Sequence, residues 1–227
     1  MGAPTRFKNG VTNAAINSPV GMMGQLDASE FHTYWNDFDT YTAADWTVTN
    51  VGTTPTQALA NGDGGLLLLT TTAGATDSTY LQKVGSSFSM AAGKPAWFKA
   101  SFQMSDVTLA GFVMGLQVID TTPAAVSDGI FFRKASGAAT FDVASYSGSV
   151  GTTASAVGTL VNATMTELSW YYDGKSEIQY FKDGVLLGRL VPAALPTGNL
   201  TISFGFVNGA AAVKTMTVDY IYAVKTR

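Results

Sequence analysis

The chain has 227 residues with 46% hydrophobic, 13% charged and a net charge of −3. That is core enough for one large β domain, on a surface far poorer in charge than usual. With no run of Lys or Arg, no Cys, a single His and no apolar stretch near membrane-spanning length, several classes fall away: nucleic-acid binders, disulfide scaffolds, thiolate or multi-histidine metal sites, and helical membrane proteins.

From Met1 to about Leu26 neither helical nor strand periodicity is present. The turn signals Asn9-Gly10 and Ser18-Pro19 separate scattered apolar residues, so residues 1–30 read as an extended N-terminal arm. Arg6 and Lys8 precede the first acid, Asp27, which makes the arm basic and the remainder acidic. The expectation is an arm that docks on a neighbour. Phe7, Val11 and Ile16 would serve as apolar anchors, with Arg6 and Lys8 pairing with acidic groups. The first residues lack the apolar core of a signal peptide, so export by the common route is not expected.

From Phe31 to Trp46 the chain turns aromatic, and from there to Arg227 strands follow one another, giving an expected domain over 31–227. Trp46 to Val51 alternates, while Gly65 to Thr72 is a continuous apolar run that reads as a strand buried on both faces. Ala96 to Met104 and Ala110 to Asp120 read as long central strands. Gly129 to Lys134 and Ala139 to Tyr146 form a hairpin around Ser136-Gly137. Asp173-Gly174 and Asp183-Gly184 supply the positive φ angles of tight turns, so Glu167 to Leu190 reads as a three-stranded meander. Asn199 to Val207 and Thr215 to Val224 alternate again. No long segment carries a 3.6-residue period, so helices should be short or absent. The expected fold class is all-β, a two-sheet antiparallel sandwich rather than a closed barrel.

The order Trp97 to Phe102, Phe112 to Asp120, Asp128 to Arg133, Leu168 to Gly174, Ile178 to Val185 and Val218 to Val224 resembles concanavalin A-like (laminin-G-like) jelly rolls. The likeness covers about residues 36–227. With its Thr5 to Asn13 opening and its Phe38 to Trp46 segment, the whole chain is also similar to head structural proteins of tailed bacteriophages, decoration or cement proteins among them.

Family members that cleave β-glucans place paired carboxylates on one strand, with Glu-x-Asp-x-x-Glu as the pattern. The three glutamates here, Glu30, Glu167 and Glu177, do not fit it. His32 has no evident nucleophile partner and reads as an aromatic packing position or a subunit contact. Asp37 and Asp39 share a strand face as a weak cation candidate, and Asn61 to Gly65 is a turn. Sugar-stacking candidates are Trp35, Trp170, Tyr171 and Tyr172, with Tyr171 pointing away from its two neighbours. The resemblance and these exclusions give a non-enzymatic virion protein without cofactor. It would be made in the host cytoplasm and bind the major capsid protein on the capsid exterior as a homo-oligomer, a trimer before a dimer. The alternative is a carbohydrate-binding, lectin-like module recognising a surface glycan.

Overall fold

The computed structural model describes residues 30–227. In chain order the strands are β1 (Phe31–Asn36), β2 (Trp46–Val51), β3 (Thr56–Ala60), β4 (Leu66–Thr70), β5 (Ser78–Lys83), β6 (Ala96–Met104) and β7 (Ala110–Gln117). There follow β8 (Gly129–Lys134), β9 (Thr140–Ser147), β10 (Val150–Thr159), β11 (Thr166–Tyr172), β12 (Ile178–Lys182), β13 (Val185–Leu190), β14 (Thr201–Asn208) and β15 (Thr215–Thr226). Among the described residues the helical segments are two single 3-10 turns, Ala43–Asp45 and Pro123–Ala125.

The strands make two antiparallel sheets. An eight-stranded sheet runs β13-β12-β11-β6-β15-β4-β3, with β1 beside the second half of β15, and a seven-stranded sheet runs β10-β9-β8-β7-β14-β5-β2. Strands adjacent in a sheet are often distant in sequence, as in β15 on β6 and β14 on β5, and this crossing between sheets makes the sandwich a jelly roll. The expected fold class holds.

Period-two alternation explains the core. Phe98, Phe102, Trp170 and Tyr172 point inward from the eight-stranded sheet to meet Phe112, Phe132, Phe141, Phe204 and Phe206 from the seven-stranded one. Each such ring removed from water contributes about 2–3 kcal/mol. In β15 the alternation slips at Asp219, where a bulge separates Val218 from Tyr220. Val218 and Ile221 therefore both face the core, and Tyr220 and Tyr222 are turned outward.

Two local expectations change. The apolar run at β4 is not buried on both faces: Leu67 and Leu69 reach the core, while Leu66 and Leu68 stay half-buried on the outer side. The Asp173 turn is a five-residue loop rather than a tight turn, because the Asp173 carboxylate gathers the backbone N–H groups of Lys175, Ser176 and Glu177. Asp183-Gly184 does join its strands directly, with both residues at positive φ (50° and 74°).

Candidate functional site

The outer face of the seven-stranded sheet holds a groove of about 340 Å³. Strand register builds its floor: Tyr80 of β5 lies beside Gly205 of β14, then Val113 of β7, Arg133 of β8 and Asp142 of β9. These residues come from five strands and meet in one cross-strand row. Glycines open the face. A Cβ on Gly205 would come within 2.3 Å of the Thr79 carbonyl oxygen, and one on Gly115 within 2.5 Å of that of Ile130. Neighbouring backbone thus leaves no room for a side chain at either position. One wall is the segment after β7, where Ala124 lines the groove and Val126 packs on Phe131. Gln82 holds this segment by donating to the Val118 carbonyl at 3.0 Å and accepting from Asp120 N–H at 2.9 Å, and Gln117 donates to Pro123 O at 3.2 Å.

Arg133 is the polar centre of the groove. It donates from Nη1 to the Tyr146 hydroxyl and from Nη2 to Thr153 Oγ1 at 3.4 Å, and its guanidinium lies 5.3 Å from the centre of the Tyr146 ring. Its Nε is 3.8 Å from Asp142 Oδ2, an ion pair beyond hydrogen-bond length, so N–H capacity is left for a ligand. Asp142 accepts from Ala156 N–H at 2.9 Å through Oδ1 and keeps Oδ2 towards Arg133. Side-chain exposures of 32% and 30% leave both groups reachable from solvent. At the far end of the row, burial pushes the Tyr80 phenol up to about 12, so it is a neutral hydroxyl at physiological pH. The arrangement suits a polar, hydroxyl-rich ligand: a fixed planar donor with a carboxylate acceptor beside it.

The residues singled out from sequence are scattered. Arg6, Phe7, Lys8, Val11 and Ile16 lie outside the described residues, as does the arm they belong to. Trp170 and Tyr172 are fully buried in the core, and Tyr171 faces outward as expected but is covered, at 7% exposure, against Trp97. Trp35 is open to solvent on the outer face of the other sheet. His32 packs on Phe88 with ring centroids 4.8 Å apart, and its Nε2 is 2.9 Å from Ser87 Oγ. Burial and the charges of Arg227 and Lys225 hold its pKa down. With cations rather than an acid acting on the ring, this Ser–His contact lacks the orienting carboxylate of a nucleophilic serine. No group of three or more His, Cys, Asp or Glu able to hold a metal occurs among the described residues, Asp37 and Asp39 included. Sequence reading missed Arg133, Asp142, Tyr146 and Tyr80. Arg133 and Asp142 were visible only as charges within the expected β8–β9 hairpin, where direct pairing across the turn could have been read.

No protein-family model and no curated protein matches the chain. Solved structures do match its fold. The endo-1,3-beta-glucanase from Streptomyces sioyaensis superposes with a TM-score of 0.61 at 14% identity, covering 87% of this chain and 97% of that one. A protein of unknown function from Shewanella oneidensis MR-1 gives 0.61 at 13% identity, covering 95% and 97%. The carbohydrate recognition domain of Emp46p, in a potassium-bound form, gives 0.56 at 10% identity, covering 83% and 94%. At such identities the likeness is one of fold: the chain is a concanavalin A-like jelly roll. It also corrects the expectation that the chain is not an enzyme. That expectation rested on the missing Glu-x-Asp-x-x-Glu pattern together with the unpartnered His32, yet the fold is shared with glucanases. None of these three neighbours is described as a capsid protein, and the expected decoration role gains no support from them.

Proposed function

We propose that this chain binds a polysaccharide segment in the groove on the outer face of its seven-stranded sheet. The observation that carries this reading is the cross-strand row ending in Arg133 and Asp142, a donor and an acceptor set side by side on the floor of a 340 Å³ groove. Sugar hydroxyls both donate and accept, so a guanidinium beside a carboxylate can take one diol edge in each sense. The partly exposed Val207 offers apolar surface to the C–H side of a pyranose, over a floor to which Tyr80 and Val113 contribute only their edges. Glycan recognition by the Emp46p domain and the glucanase activity named for the Streptomyces protein lend the fold-level support.

The test is calorimetry of the full chain against β-1,3-glucan, mixed-linkage glucan and polyuronate oligosaccharides, with released ends assayed in the same samples. Arg133→Ala should weaken binding of the preferred glycan by about 10-fold or more, the loss of hydrogen bonds to a charged group. Asp142→Asn, which keeps the shape of the side chain, should also weaken it. Wild-type protein that binds no glycan, or two variants that bind as wild type does, would overturn the reading. Cleavage lost in Asp142→Asn, with binding retained, would instead assign that carboxylate to chemistry.

A further inference from the structure

The outer face of the eight-stranded sheet carries a second, differently built depression of about 410 Å³, lined by Trp35, Trp97, Lys99, Tyr220 and Tyr222. Register places Trp35 of β1 opposite Tyr222 of β15, Tyr222 opposite Lys99 of β6, and Val224 opposite Trp97. Trp35 stacks on Tyr220 with centroids 5.3 Å apart and planes at 28°, and meets Tyr222 edge-on at 6.0 Å. It is nonetheless 56% exposed, the one tryptophan of four that is not buried. A large ring held rigidly by two others and left open is a platform already in place, with little rotamer freedom to lose on binding.

Polar groups stand beside the platform, with an ion pair among them. Lys99 Nζ is 2.5 Å from Glu167 Oε2, and the Tyr220 hydroxyl donates to the same oxygen at 2.5 Å. Lys99 also lies 5.8 Å over the Tyr220 ring. Trp97, 5% exposed, belongs to the wall, and its Nε1–H is a buried donor with no partner among the described residues. Lys99 and Glu167 neutralise one another, and Asp219 adds negative charge near Tyr220, so the site does not favour an anionic ligand.

We infer that this aromatic depression is a second saccharide site, taking a neutral pyranose stacked on Trp35 with hydroxyls towards Lys99 and Glu167. Its position on the opposite sheet makes it independent of the Arg133 groove, and the two readings stand or fall separately. A protein bound at both faces would hold one polysaccharide twice, or two strands together, and gain avidity.

Trp35 is the exposed tryptophan and Trp46, Trp97 and Trp170 are buried, so the part of the emission change that is lost in Trp35→Ala reports occupancy at its ring. The experiment uses the full chain carrying Arg133→Ala, which disables the groove, titrated with neutral hexasaccharides of β-1,3-linked glucose, β-1,4-linked glucose and xylose. Saturable quenching with at least one of them, lost in Trp35→Ala and about 10-fold weaker in Tyr222→Ala, is the expected result. Trp35 is exposed on a strand at the sheet margin, so an unchanged melting temperature in its variant confirms that folding is not at issue. Emission unmoved by every hexasaccharide at millimolar concentration would overturn the inference. So would a change in oligomeric state on Trp35→Ala, which would assign the face to a second copy of the chain.

Discussion

Single residues set the pH behaviour of the groove. The Tyr80 phenol is buried at 6% exposure and titrates near 12, against about 10 in an unfolded chain. The sign follows from linkage: below pH 10 both states are protonated, and above it the unfolded state releases its proton first. Stability therefore falls as pH rises from 10 towards 12, by roughly 2–3 kcal/mol from this group alone. Tyr80→Phe removes the titration. Chemical denaturation across pH 9 to 12 should show a shallower alkaline loss in the variant, and identical slopes would rule this account out. Tyr220, raised by burial and by its bond to Glu167, adds a loss of the same sign in both proteins. Residue type was legible in the sequence but residue environment was not. Trp35 and Trp170 sit in similar aromatic contexts, yet one is open and the other is in the core. What separates them is strand position, since β1 is a margin strand on the second half of β15 whereas β11 lies between β6 and β12.

At the scale of elements, the sequence was clearest where chemistry is local. Asp183-Gly184 predicts a tight turn between β12 and β13 because φ > 0 is needed at both positions, and both adopt it. A Cβ on Gly184 would meet no atom within 4 Å, so Gly184→Ala should cost only backbone strain, about 1–2 kcal/mol, with no loss of packing. Equilibrium unfolding in urea measures this directly; a neutral result would show that the turn relaxes to another type. The Asp173-Gly174 turn was read as equally tight and is longer. There a side chain competes for backbone N–H groups, a contest that spacing alone does not decide. The groove was least legible of all. Its floor depends on registers joining β5, β14, β7, β8 and β9, and pairings such as β14 with β5 join residues more than a hundred positions apart.

For the whole molecule, the jelly roll presents two unlike faces. One sheet offers a charged donor–acceptor pair among glycines, and the other an aromatic platform with a neutralised ion pair. A surface so poor in charge fits the proposed recognition of polar, uncharged ligands. The central claim is that the Arg133–Asp142 row receives a glycan. At 23.8 kDa the full chain suits amide chemical-shift mapping during titration with a β-glucan hexasaccharide. The account predicts shifts concentrated on Val113, Arg133, Asp142 and Tyr146, with Trp35 and Tyr222 moving as a separate group. Saturating glycan that leaves β8 and β9 unperturbed would contradict it.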